Sequence, residues 1–246
     1  SRAAVHGGFT SIVCMPNTSP VNDNVEVTRH IIDRAKEVGL ANVYPVAAAT
    51  RQLESLEPVP MEELVAEGVR GFSDDGRCVM DPALLQEALV MAKKLGVPFM
   101  EHAEDHDISK DGQVNPGAAV ACELDPIPPS SEDLIIDRDI KVQEEVGSYL
   151  HLTHISTEGA VRMIREARKR GIAVTSDVTP HHLVLDESEL RTCDPLYKMK
   201  PPLRGEKDRE AMVEGLVDGT IDCIATDHAP HTPEEKSRSF QEAPFG

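Results

Sequence analysis

Seven short runs of nearly continuous apolar, β-branched-rich residues recur along the chain: "TSIVCMP" (10–16), "NVYPVAAA" (42–49), "GVRGFSD" (68–74), "GVPFMEHA" (96–103), "YLHLTHIS" (149–156), "IAVTSDVTP" (172–180) and "IDCIATDHAP" (221–230). A strand with one wet face alternates apolar and polar residues. These runs do not, which predicts parallel strands covered on both faces. Between most of them lie amphipathic helical patterns at 23–38, 81–95, 132–147, 157–170 and 206–217. Asp81 before Pro82 is an N-cap signal, with proline where its missing N–H costs nothing. Thr157 starts a further helix and Gly171 ends it, while Ser1–Val5 reads as a helix tail stopped by Gly7 and Gly8.

Such alternation predicts a parallel α/β fold, and two architectures compete for it. A doubly wound sheet concentrates its chemistry in one glycine-rich loop. A (β/α)8 TIM barrel spreads it over the C-terminal ends of many strands. Here the runs end in Asn17, in Asp74 and Asp75, in Glu101 and His102, in His151 and His154, in Asp177, and in Asp227, His228 and His231. Polar groups gathered at one end of nearly every strand predict the barrel. The expected layout is a single partial barrel domain over 1–246 holding strands 2 to 8, without a second domain.

Composition narrows the chemistry. With 25 Lys+Arg against 43 Asp+Glu, the net charge is −18, which disfavours attraction to nucleic acid or anionic lipid. No run approaches 18 apolar residues, so a membrane span is not expected. The five cysteines, Cys14, Cys78, Cys122, Cys193 and Cys223, are scattered and form no C-x-x-C pair. That pattern predicts reduced thiols in a cytoplasmic protein.

Taken singly, each polar strand end has a bland reading. A lone histidine there is ordinarily a hydrogen-bonded edge residue, and Asp75 of "SDDG" suits a turn. His151 and His154, three apart, fall on opposite faces, and His154 lies nearer the strand end. Together, Asp75, His102, His154 and Asp227 on four strand ends offer two carboxylates and two imidazoles, a donor set suited to zinc. Four ligands fill one tetrahedral site and leave no reactive position, so further ligands are expected upstream.

The motifs "GGFTSIVCMPNTSP", "GVRGFSDDGR", "MEHAED", "HLTHIST", "SDVTPHHL", "KMKPPLR" and "ATDHAPH" followed by "FG" resemble, in order, those of the bacterial type I dihydroorotases of the amidohydrolase superfamily. The resemblance implies a zinc-dependent hydrolase that reversibly closes N-carbamoyl-L-aspartate to L-dihydroorotate in pyrimidine synthesis. It also implies one or two zinc ions, with two favoured. Asp75 matches the aspartate bridging two metals, His102 and His154 match ligands of the second, and Asp227 matches a ligand of the first that is also the catalytic acid/base. Asn17, His231, Phe245 and Gly246 match substrate contacts. Lys200 departs from the family, which often has Asn before "PPLR", so its contact to substrate is an open question. Partners implied are a homo-oligomer and an aspartate carbamoyltransferase.

That family carries a His-x-His-x-Arg motif on its first strand, and no His-x-His occurs in this sequence. The chain therefore reads as a piece beginning after that strand and is expected to be inactive alone. Hydantoinases and allantoinases bridge their metals with a carboxylated lysine, but no lysine lies between Lys36 and Lys93. A non-catalytic scaffold subunit of a carbamoyltransferase assembly is the other alternative; such subunits lose ligands that are present here. The long segment 106–134 reads as a functional loop or a surface insertion, and the resemblance implies that 229–246 acts as a lid closing over substrate.

Overall fold

The computed structural model describes residues 1–246, which divide into two compact units. The first comprises Ser1–His102 with Lys141–His151; the second comprises Ala103–Ile140 with Leu152–Gly246.

In the first unit, helix α1 (Arg2–His6) leads through Gly7 and Gly8 into strand β1 (Ser11–Cys14). Gly8 takes the positive φ of 85° that the turn requires. Strand β1 runs parallel to β2 (Asn42–Pro45), with Ser11 opposite Asn42, and helix α2 (Val25–Val38) makes the crossover. Asn24 caps α2 by accepting from the Val27 N–H at 3.1 Å. Helix α3 (Met61–Glu67) follows, then α4 (Pro82–Leu95), whose start is fixed by Asp81 accepting from the Ala83 N–H at 2.8 Å.

The apolar run 68–74 forms no extended strand of its own, contrary to expectation. Only Phe72 bridges its neighbours, in parallel to Ala47 and to Phe99 of β3 (Phe99–Glu101). The ladder bonds nonetheless alternate: Ala47 N donates to Gly71 O, Phe72 N to Pro98 O and Met100 N to Phe72 O. Next to β3 comes the start of β4 (Leu150–Leu152), with Phe99 N donating to Tyr149 O at 2.9 Å. Phe72, Phe99, Leu64, Leu85, Leu89 and Leu150 form the fully buried filling. The parallel pairing of β1 with β2 across a helical crossover thus leaves the C-terminal ends of both on one side.

In the second unit, β5 (Val174–Val178) runs parallel to the short β6 (Cys223–Ile224), Asp177 opposite Cys223. Ile155, just past β4, donates its N–H to Asp177 O at 3.0 Å. Helices α8 (Glu158–Lys169) and α10 (Glu206–Val217) supply apolar faces of Val161, Ile164, Ala211 and Met212. Gly215 permits close contact between α10 and Ile221, since an added Cβ would lie 3.0 Å from its Cδ1. The segment 106–134, read above as a loop, holds helices α5 (His106–Ser109) and α6 (Pro116–Cys122) and the start of α7 (Ser130–Val146). Helix α9 (Pro180–Val184), two 3-10 segments (Glu187–Thr192 and Pro195–Tyr197) and α11 (Pro233–Lys236) complete the unit.

The cysteine expectation is corrected here. Cys122 and Cys193 form a disulfide, and Cys14, Cys78 and Cys223 are free thiols. Sequence spacing could not show this pair because 71 residues separate its members. No helix is long and apolar enough to cross a membrane.

Candidate metal and substrate site

The two acids of "SDDG" have different environments. Asp74 is wholly buried and accepts from Ala49 N at 2.8 Å and Thr50 N at 3.0 Å, and from the Thr50 hydroxyl. Burial pushes its carboxyl above the usual range, against the pull of those donors. It also closes a turn, through Arg77 N donating to Asp74 O. Asp75 faces the polar strand ends instead. Its Oδ2 accepts from Asn17 Nδ2 at 2.9 Å, and its Oδ1 lies 3.8 Å from His102 Nδ1. Gly76 follows at a positive φ of 80°, which residues with a Cβ rarely adopt.

The Asp75 to His102 separation is too long for a hydrogen bond. Two ligands of one tetrahedral zinc, each about 2.0–2.1 Å from it, lie roughly 3.3 Å apart. Both residues are buried. A buried carboxylate oxygen and a buried imidazole nitrogen held at such a spacing fit a cation.

In the second unit His154 is buried at the end of β4, with its backbone at φ 36°. Its N–H donates to Asp177 Oδ1 at 2.7 Å, so the end of β5 sets the conformation of the residue after β4. Two residues on, Ser156 donates its N–H and hydroxyl to Glu132, at 2.7 Å for the N–H. Glu132 pairs with Arg204 at 3.5 Å, and both are almost wholly buried. Arg204 also donates to Ser156 Oγ at 3.0 Å, Asn115 Oδ1 at 3.2 Å and the Ile127 carbonyl at 2.6 Å. Arg204 of "KMKPPLR" is therefore a structural hub, a role its motif did not reveal.

The rings of His181 and His182 lie 4.6 Å apart between centroids, tilted at 49° to one another. His182 engages Thr179 Oγ1 at 2.7 Å and the Pro201 carbonyl at 3.1 Å. Burial, then repulsion from His154, holds His181 neutral with its pKa lowered to about 4. Asp227 is half-buried at φ 45° after β6, while His228 is exposed. His231 Nδ1 lies 3.5 Å from Glu235, whose carboxylate also caps α11.

Lys200 Nζ sits 2.9 Å from the buried Glu104 carboxylate and 5.4 Å from the Phe245 ring centroid. Lys198 Nζ lies 4.6 Å from the same ring and donates to the carbonyls of Phe240 and Gln241. Gly246 N donates to Lys198 O at 3.0 Å. Of the residues singled out from sequence, the first unit thus joins Asn17, Asp75 and His102. The second joins Lys200 with Phe245, ties Gly246 to Lys198, and carries His154, Asp227 and His231 at separate strand and loop ends.

A parallel α/β scaffold whose strands end in acids and imidazoles has the fold of solved hydantoinases and of a dihydroorotase. An L-hydantoinase from Arthrobacter aurescens has this fold, with a TM-score of 0.81 at 22% identity, covering 98% of this chain and 55% of that one. A dihydroorotase from Saccharomyces cerevisiae gives a TM-score of 0.75 at 18% identity, covering 97% and 67%.

The chain belongs to the dihydro-orotase-like family, whose model matches residues 1–160. Relatives named dihydroorotase match along its whole length. That of Syntrophobacter fumaroxidans is 45% identical over 247 residues, 100% of this chain and 56% of the relative. That of Thermus aquaticus is 45% identical over 251 residues, 99% and 59%. The chain therefore spans somewhat over half the length of these relatives.

Proposed function

We propose that the protein carrying this chain is a dihydroorotase, a zinc-dependent cyclic amidohydrolase that interconverts N-carbamoyl-L-aspartate and L-dihydroorotate in pyrimidine synthesis. The observation that carries the reading is the match to dihydroorotases at 42–47% identity over the full chain, together with the buried Asp75 and His102 donors. We read 1–246 as one partial barrel domain. Asp75, His102, His154 and Asp227 are the proposed metal ligands, for two zinc ions.

Zinc, when bound, supplies Lewis acidity and a water acidified from 15.7 toward ~7. The chain's residues do the rest. Asp227 takes the proton of the attacking water and delivers it to the leaving ring nitrogen. Asn17, which touches the Asp75 carboxylate, presents its remaining amide hydrogen to the substrate carboxylate. His231, Phe245 and Gly246 line the substrate. Lys200 is held by Glu104, which places its ammonium beside Phe245 and draws it away from free solvent.

A hydantoinase-type reading rests on fold likeness alone and lacks a lysine between Lys36 and Lys93 for a bridging carbamate. A scaffold subunit is disfavoured because the four expected ligands are present. A homo-oligomer, with an aspartate carbamoyltransferase as partner, follows from the same reading. So does a cytoplasmic setting, which the thiol pattern no longer supports.

The test is turnover of dihydroorotate by the full-length protein, with hydantoin as the competing substrate. Preference for hydantoin, or no turnover with metal bound, would sink the reading. Asp227→Asn is expected to abolish turnover while zinc remains partly bound.

A further inference from the structure

Helix α6 ends at Cys122, and Cys193 caps the 3-10 segment Glu187–Thr192 at φ 49°. Their sulfurs are bonded, with Cα atoms 5.6 Å apart, and both residues are half-exposed. Around them lies a small separate core of Val114, Ala118, Leu190 and Phe240, against which Leu124 and Tyr197 pack. Three segments meet there: the one carrying α6, the one between β5 and α10, and the C-terminal stretch. Phe240 matters because its carbonyl accepts from Lys198 Nζ at 2.8 Å and because it leads to Phe245 and Gly246.

Four buried side chains are a small core. Three chain segments with long connections must be ordered to build it, and ordering costs about 1–2 kcal/mol per residue in backbone entropy alone. A cross-link closing a long loop removes part of that cost from the unfolded chain. Neither cysteine is fully buried, which leaves the bond within reach of thiol exchange.

We propose that Cys122–Cys193 is a redox-responsive clamp, opened by a dithiol, that orders the platform beneath residues 238–246. One thiolate of the dithiol attacks a cysteine sulfur, forming a mixed disulfide and releasing the other cysteine. The second thiolate of the dithiol attacks its own sulfur partner in that mixed disulfide, closing the reductant's ring and releasing the second cysteine. Two electrons and two protons pass from the dithiol to the protein. Opening frees α6 from Cys193 and loosens Phe240, and with it the segment bearing Phe245 and Gly246.

Only the last step, an effect on substrate, rests on the proposed function. The clamp is therefore tested without activity. Full-length protein is denatured under non-reducing conditions with an alkylating agent and digested. A linked Cys122–Cys193 peptide is expected, with Cys14, Cys78 and Cys223 alkylated; alkylation of Cys122 and Cys193 would overturn the proposal. Hydrogen exchange is then compared with and without dithiothreitol, and in Cys122→Ser/Cys193→Ser. Reduction is expected to cause loss of protection in 112–124, 187–197 and 238–246 but not in 82–95, and to lower Tm by on the order of 10 °C. Unchanged protection on reduction overturns the clamp whatever the enzyme's substrate proves to be.

Discussion

His154 donates its backbone N–H to the Asp177 carboxylate at 2.7 Å while holding a φ of 36°, a conformation that residues with a Cβ rarely adopt. The end of β5 thereby fixes the residue that ends the β4 loop. Asp177→Ala removes the acceptor and leaves a buried N–H unpaired, at a cost of about 1–3 kcal/mol. Denaturant unfolding should show that loss, and zinc titration should show weakened binding. Asp177→Asn keeps an acceptor and should recover most of the stability. Equal effects of the two variants would show that the acceptor is not what matters.

Arg204 and Glu132 form the second anchor of the same loop. Burial raises the Glu132 pKa and lowers that of Arg204, and each opposes the other's shift by its charge. Arg204→Met strands a buried carboxylate and frees three acceptors. The expected loss is about 3–5 kcal/mol by denaturant unfolding, reduced when Glu132→Leu is added. A double variant no more stable than the single one would mean that the cost lies in the lost hydrogen bonds to Asn115, Ile127 and Ser156.

Helix ends were legible because their causes are local. Asp81 and Thr157 cap α4 and α8 through hydrogen bonds two or three residues away, which a pattern of residue types can reveal. The run 68–74 was legible as a place in the ladder, through Phe72, but not as an element. Gly68 and Gly71 both precede its one bridging residue, Phe72, and Gly68 takes φ 128°. Asp75 and His102 stood out because acids and imidazoles at strand ends are unusual. Arg204 and the Cys122–Cys193 bond did not, because each joins segments whose meeting depends on the whole second unit. Sequence spacing carries no information about that meeting.

Lys198 predicts a pH dependence. Desolvation, then the Lys236 charge, lowers its pKa from 10.5 to about 8. The folded state thus binds this proton less readily than the unfolded chain does. Below pH 8 both states are protonated and the charged lysine is a cost; that cost falls as pH rises from about 8 to 10.5. Chemical denaturation across this window should show Lys198 adding stability with rising pH. Lys198→Met should remove that increment, and a pH profile identical to wild type would contradict it.

Gly112 gives a prediction independent of any ligand. A Cβ at this position would lie 2.4 Å from the Pro126 carbonyl oxygen and 2.7 Å from Ile127 Cγ1, so backbone and not a flexible side-chain end blocks it. The close approach is part of the pairing in which Gln113 N donates to Asp125 O and Ile127 N to Val114 O, both at 2.8 Å or less. Because Ile127 also lends its carbonyl to Arg204, displacing this strand-like pair pulls on the same hub. Gly112→Ala is expected to destabilise by about 1–3 kcal/mol through overpacking. Exchange should rise across 112–127 first, since the strain enters there. If stability stays within about 0.5 kcal/mol of wild type, the range usual for surface substitutions, the pairing of 113–114 with 125–127 is looser than its hydrogen bonds indicate.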